Sequence, residues 1–378
     1  MKIRASRISA SIANAIYQDQ EPPDSHKRHG RLLRAIIAFF SLFRLWLVRY
    51  RPADFLALRR TAWQLDEDEY LDSFRNAYSS SSRAAELIPV GDLGYSGSTF
   101  FTTPDAKFLI KSLPRRFEHT FFTHDLCGPY LSHNTAHPDS LLVRITDMVY
   151  ASRPSLGSLL GTAPTHHIVM ENLLYGKPSA SSTSSLEDTS PHRRWESFDL
   201  KPADYFFPER DLANGRLAPS RVKDNLVDIV PHKIRVPPAA KRSLMDLLSR
   251  DTRLLASHSA VDYSLFLVRH PSSLPSSPPS RAAPTGSFPS PWREGVDDVK
   301  GEWRYRAVVL DFFWCKRKLR ARAMTGLVEA FNVVAGRGPM SITAEPEEYR
   351  QRFLRMVDSI FVAFEAEDLL TGSESSDG

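Results

Sequence analysis

The chain has 378 residues, 42% of them hydrophobic, enough apolar material for one large two-lobed domain or two ordinary ones. Only two cysteines occur, Cys127 and Cys315, which argues against a secreted disulfide scaffold and for a reducing compartment. A formal net charge of +5 favours anionic partners such as lipid headgroups, nucleic acid or nucleotide phosphates, without choosing among them.

Residues 1–30 are polar and predict a disordered tail. Residues 31–52 predict a basic amphipathic helix, with apolar runs Ala35–Phe43 and Leu45–Val48 cut by Arg44 and bounded by Arg34 and Arg49. A membrane span needs roughly 20 apolar residues, and the run starts too late for a signal peptide. A helix lying on a membrane and a helix packed on the domain both remain open. A helical pattern resumes at Phe55 and continues through Leu58, Leu65, Tyr70, Leu71 and Phe74, with Asp66 ahead of an acidic first turn. Ser98–Thr103 and Ala106–Leu113 predict two strands about the turn pair Pro104-Asp105. Phe117–Leu131 predicts a helix, and Leu141–Ala151 and His167–Asn172 predict further strands. Pro178–Pro191 and Pro271–Pro291 are low-complexity inserts that cannot bury enough apolar surface to order themselves. Between them lie a helix with Leu244, Leu247, Leu248, Leu254 and Leu255 and the apolar run Ala260–Val268. A strand over Tyr305–Phe313, a basic loop with a helix, a C-terminal helix around Tyr349–Val362 and an acidic tail complete the chain.

Four pieces carry chemistry. Gly94-Tyr95-Ser96-Gly97-Ser98 offers backbone N–H groups to phosphate without Cβ clashes. The hairpin after it ends at Lys111, which would lie beneath the turn and bind the same phosphates. Glu118, at the start of the next helix, is either an ion-pair partner of Lys111 or a solvated helix-start acid. Asp262 and Asp311, each in apolar surroundings, are costly to bury unless paired or bound to metal. Together they suit phosphoryl transfer, one orienting the attacking hydroxyl and the other holding Mg²⁺. Asp199-Leu200-Lys201 would add positive charge near a transferred phosphate. The basic run Lys316, Arg317, Lys318, Arg320 and Arg322 would face phosphorylated headgroups or an anionic bilayer.

In their order along the chain these pieces resemble the phosphatidylinositol phosphate kinases, from about Asp54 to Val362. The segments that carry the resemblance are GYSGSTFFTTPDAKFLIKSL, HIVMENLLYG, FDLK, DTRLLASHSAVDYSLFLVRH, VVLDFFW and EPEEYRQRF. The resemblance implies an α+β, two-lobed fold of the protein-kinase-related, SAICAR-synthase-like kind. It implies a first lobe over 53–175, a Ser-rich insert at 176–195, a second lobe over 196–366 with a Pro/Ser-rich insert at 271–301, and a tail at 367–378. It also implies transfer of the ATP γ-phosphate to an inositol hydroxyl, the 5-position, of a phosphatidylinositol monophosphate. Mg²⁺ would be the cofactor, and the partners would be phosphoinositides and an anionic membrane rather than nucleic acid, for a cytoplasmic, peripheral enzyme. By the same resemblance Gly94, Ser96, Gly97 and Ser98 cover the nucleotide, Lys111 contacts its phosphates, and Met170, Glu171, Asn172 and Leu173 flank the adenine. Asp262 is the catalytic aspartate, Asp311 the Mg²⁺ ligand, Lys201 a phosphate contact, and Arg317 and Lys318 the membrane-engaging pair. Two departures stand out. The Gly-Ser after the family's DLK lysine is Pro202-Ala203 here, and the acid after its basic pair and leucine is Arg320. They point to the alternative, a weak or inactive lipid-binding pseudokinase.

Overall fold

A computed structural model of the protein describes residues 2–17, 42–75, 86–90, 98–177, 195–202, 228, 230–272, 290–316 and 345–364. Helix α1 (Lys2–Tyr17) forms where the sequence predicts a disordered tail. Ile8, Ile12, Ala13 and Ile16 recur on one face and are buried against Leu45, Leu47, Tyr70 and Phe101. Small polar residues dilute the stripe, yet they also fasten it. The Ser9 hydroxyl accepts from Leu87 N at 2.8 Å, and the Ser11 hydroxyl from Leu45 N at 3.1 Å.

The expected helix over 31–52 is likewise corrected within its described part. Leu47–Arg49 is strand β1, paired with residues 149–151. Leu45 and Leu47 turn inward while Trp46 stays exposed, an alternation of period two that belongs to a strand. Arg49 is drawn inward by Asp147, 2.6 Å away. Residues 31–41 lie outside the described residues.

Helix α2 (Pro52–Ala57) continues through a π-helical turn at Leu58–Ala62. Helix α3 (Glu67–Asp72) is capped by Asp66, whose carboxylate accepts from Glu69 N at 2.9 Å. Strands β2 (Ile88–Val90), β3 (Phe100–Thr102) and β4 (Phe108–Ser112) follow. Helix α4 (Arg116–Phe121) runs through a second π-helical turn at Phe122–Leu126 into α5 (Cys127–Ala136). Strand β5 (Ile145–Ala151), the short helix α6 (Leu156–Leu159) and strand β6 (His166–Glu171) complete this half. Its sheet is antiparallel throughout, in the order β1-β5-β6-β4-β3-β2.

The second half comprises β7 (Glu196–Leu200), β8 (Ile234–Val236), α7 (Pro238–Ser257), β9 (Ala260–Val261) and β10 (Ser264–Pro271). It continues with α8 (Pro291–Glu294), β11 (Val296–Asp297), β12 (Trp303–Leu310), β13 (Trp314–Cys315), α9 (Pro346–Ile360) and β14 (Phe361–Ala363). Its main sheet is antiparallel, ordered β11-β12-β10-β7. Antiparallel sheets with covering helices make the fold α+β. The insert expected at 271–301 is too wide: 290–301 carries a short helix and a strand, with Trp292 and Arg293 buried. The two sheets are tied through residues 141–143, where Val309 N donates to Leu141 O at 2.7 Å and Val143 N donates to Val309 O at 3.0 Å.

Candidate functional site

Pairing in the second sheet sets three strand ends side by side. Ser264 of β10 lies opposite Leu310 of β12, and Leu265 lies opposite Leu200 of β7. Lys201 therefore follows β7, Asp262 precedes β10, and Asp311 follows β12, all at one end of the sheet. Asp262 and Asp311 both leave their strands in the left-handed region, with φ of 67° and 64°. Non-glycine residues adopt that conformation at a cost of roughly 1–2 kcal/mol, and here it is held by flanking strands on both sides. Lys201 Nζ donates to Asp262 Oδ1 at 2.6 Å.

Lys111 comes from the other sheet. It sits on β4 between Phe100 of β3 and Ile168 of β6, and its ammonium forms an ion pair with Asp311. The ammonium also lies 5.6 Å from the Phe100 ring centre and 5.9 Å from that of Phe313. The structure thus brings Lys111, Lys201, Asp262 and Asp311 together across the gap between the sheets. The ion-pair partner of Lys111 is Asp311 rather than Glu118. Glu118 is engaged instead by Arg115, whose guanidinium is 3.2 Å away and whose N–H is 3.3 Å away. Burial pushes the Glu118 carboxyl above its ordinary range against the pull of Arg115 and Lys111.

The charges in this cluster steer one another. Desolvation, the largest influence on Asp311, acts to raise its pKa, but Lys111 and Lys201 together hold it below the usual carboxylate range. Asp199, one pair up the sheet opposite Phe266, is driven the other way by desolvation in the cleft and by the Asp311 carboxylate. Lys201 is desolvated too, yet Asp262, Asp311 and Asp199 raise its affinity for the proton. Two carboxyls pushed apart beside two ammonium groups form a site that neutralises and orients anionic oxygen. Asp199 is the member that sequence reasoning named only as part of a tripeptide. Its signal in the sequence is the two-residue spacing from Lys201, which puts both on one face of a strand that ends in the cleft.

The segment expected at the adenine is β6 and its exit. Met170 and Leu173 are buried in the main core. The side chains of Glu171 and Asn172 make contacts within the fold. Glu171 pairs with Arg293 and accepts from Arg144 N at 2.9 Å. Asn172 Nδ2 donates to Ala106 O at 2.8 Å, clasping the β3–β4 turn. Ser98 is buried where the chain enters β3. Gly94, Ser96 and Gly97 lie outside the described residues, as do Arg317, Lys318, Arg320 and Arg322. Lys316 does not share an open basic surface: it is buried and pairs with Glu345 at 2.8 Å.

Helix α4, which carries Glu118, is seated on the sheet through imidazoles. His119 stacks on His166 of β6, with ring centres 3.6 Å apart and planes within 6°. Burial lowers both to about 4. It lowers His167 to about 3, with neither of its ring nitrogens hydrogen-bonded. Their folded values lie below the unfolded value near 6.5, so the unfolded chain binds more protons between these limits. Stability is therefore full above about pH 6.5 and falls as pH drops toward 3, with His167 alone contributing on the order of 4 kcal/mol at full protonation. Urea midpoints measured from pH 7 to pH 4 should fall, and His167→Leu should flatten that fall.

A family model described as Phosphatidylinositol-4-phosphate 5-Kinase matches residues 81–291. The chain is 27% identical over 231 residues to a probable phosphatidylinositol phosphate kinase of Dictyostelium discoideum, covering 61% of this chain and 28% of that protein. It is 23% identical over 330 residues to the 1-phosphatidylinositol 3-phosphate 5-kinase of Mus musculus, covering 83% of this chain and 12% of that protein. It is 25% identical over 221 residues to the type-1 beta phosphatidylinositol 4-phosphate 5-kinase of Gallus gallus, covering 58% of this chain and 35% of that protein. The chain thus spans well under half the length of these relatives. With more than half of its residues inside the family model, and with a paired Lys111 and Asp311 set against Lys201 and Asp262, the chain belongs to the phosphatidylinositol-4-phosphate 5-kinase family of lipid kinases.

Proposed function

We propose that this chain transfers the γ-phosphate of ATP to an inositol hydroxyl, the 5-position, of a phosphatidylinositol monophosphate at a membrane surface. The observation that carries the reading is the meeting of Lys111 from one sheet with Asp311, Lys201 and Asp262 from the other. Among the described residues no group of three or more acidic, His or Cys side chains could enclose a metal ion. Asp311 and Asp199 would hold Mg²⁺ here, together with the phosphates of the nucleotide. That fits a hard cation that keeps few protein ligands, all of them oxygen. When bound, Mg²⁺ supplies charge neutralisation on the phosphate oxygens.

The chain's own groups do the rest. Lys111, held between Phe100 and Phe313, presents a fixed positive charge to the donor phosphates. Asp262 accepts a hydrogen bond from Lys201, which holds its carboxylate in the cleft, where it orients the acceptor hydroxyl and takes its proton. Lys201 then stabilises the charge that builds on the transferred group. Rate enhancement rests on positioning and preorganised charge. Substrate choice between the 3-phosphate and the 4-phosphate is left to the test, since relatives of both kinds match.

Pro202 favours a second reading. It is buried directly after Lys201, where the family carries Gly, and it has no N–H to give a phosphate. The alternative is a lipid-binding pseudokinase. Incubation with labelled ATP, Mg²⁺ and vesicles carrying each phosphatidylinositol monophosphate separates the two. Labelled bisphosphate, absent with Lys111→Met and Asp311→Asn, is the expected result. Vesicle binding with no label on any isomer would overturn it and leave the scaffold.

A further inference from the structure

Three elements packed in series at the far edge of the first sheet share one chemical character. Helix α1 lies on the segment before β1, where the Ser11 hydroxyl accepts from Leu45 N. That segment lies on α6: a Cβ on Gly157 would sit 1.7 Å from Leu42 O, so only glycine permits the approach. Trp46 O accepts from Ser152 N at 3.1 Å, and the Trp46 ring lies under the Arg153 guanidinium, 4.9 Å away. On this edge four large apolar side chains face outward. Leu159 is 65% exposed and Leu160 62%, at the apex of the β5–β6 connection, while Leu42 is 40% and Trp46 36% exposed beside them.

Charge is just as uneven. The sequence holds 44 acidic residues, yet none occurs in 2–17, 42–53 or 148–170. The same stretches hold Lys2, Arg4, Arg7, Arg44, Arg49, Arg51 and Arg153, and Arg49 is turned inward to the Asp147 carboxylate of the core. An exposed leucine pair, a tryptophan under an arginine and flanking stretches that contribute basic residues and no acidic ones suit an interface that is apolar at the centre and anionic at its edge. Those are the properties of a bilayer surface with acidic headgroups.

We infer that the Leu159–Leu160 apex, flanked by Leu42, Trp46 and Arg153, inserts into anionic bilayers and anchors the domain independently of the basic run after Asp311. The apex joins β6 at its start, His166, so the β6 exit at Glu171 lies at the other end of the strand.

The test is cosedimentation of the full chain with phosphatidylcholine vesicles, with and without phosphatidylserine. That lipid carries no inositol, so the outcome does not depend on catalysis. Leu159→Ser/Leu160→Ser removes apolar side chains that are already exposed, so thermal stability should hold while affinity for anionic vesicles drops about tenfold or more. Arg153→Glu should weaken binding to anionic vesicles and leave neutral ones unaffected. A polarity-sensitive dye on Leu160→Cys should shift to the blue on vesicle addition, whereas the same dye on Arg253→Cys, exposed on α7, should not. The native cysteines are buried and do not compete for label. Wild-type affinity in the double serine variant, or a dye at 160 that stays in water while binding occurs, overturns the inference. So does self-association that the serine variant abolishes, which would make a second copy the occupant. Unchanged turnover of the serine variant on a soluble short-chain phosphoinositide separates this failure from failure of the kinase reading.

Discussion

Lys111→Met and Asp311→Asn are each expected to slow phosphoryl transfer by about 10²–10³-fold, the scale on which a single preorganised charge stabilises a transition state. The double variant should be little slower than either alone, because the two groups act as a unit. Lys111→Met is a fair probe, since its stem still packs between Phe100 and Phe313. Asp311→Asn leaves the buried Lys111 ammonium without its carboxylate, so some loss of stability is expected and the kinetics are read at temperatures where the variant is folded. Steady-state kinetics on vesicles, read beside thermal melts, decide the matter. Either variant within a few-fold of wild type, or two effects that simply multiply, would make the ion pair a structural tie between sheets. Lys201→Ala gives the contrast, because it removes the partner of Asp262 and should lower kcat more than it raises KM for ATP.

The cluster of Lys111, Lys201, Asp262 and Asp311 was legible because its signals are local and chemically costly. A carboxylate after a buried strand demands a partner, so Asp262 and Asp311 could be paired from their settings alone. The strands around Lys111 announced themselves through Pro104-Asp105 and the apolar alternation beside it. What escaped reading is governed by distant contacts. Glu118 looks like the partner of Lys111 because it opens the next helix, but the same position makes it the reciprocal cap for Arg115 N. The stripe on α1 is only four residues wide and is worth a helix only when the sheet edge receives it. β1 lies inside a run whose apolar residues fit either period, and Asp147, almost a hundred residues later, decides it by taking Arg49. Lys316 begins a basic run, yet Glu345 across the chain claims it. Nothing near Arg293 in sequence marks it as buried, because it follows a segment rich in Pro and Ser.

Arg293 supports the strongest stability prediction in the molecule. Its guanidinium is completely buried and forms an ion pair with Glu171 at the end of β6. It also donates to Ser140 O and Leu142 O, so one side chain holds the β6 exit, the approach to β5 and helix α8 together. Arg293→Ala would leave the Glu171 carboxylate buried with Arg144 N as its remaining donor, and two carbonyls without theirs. Breaking such a pair from one side costs about 3–5 kcal/mol, because the stranded charge keeps its desolvation penalty. The exposed Arg51–Asp54 pair has an equally direct geometry, 2.6 Å, but Arg51→Ala should cost less than about 1 kcal/mol. Removing both charges tests the cause. Arg293→Met/Glu171→Met should recover much of the stability, because no charge is then left buried, with the two carbonyls accounting for what remains. Urea midpoints for the three variants read this directly. A double variant no better than Arg293→Ala would assign the effect to weakened packing around Trp292. If the pair governs the β6 exit, ATP affinity should weaken in Arg293→Ala at temperatures where it is still folded, since Met170 and Leu173 hang from the strand end that Arg293 secures.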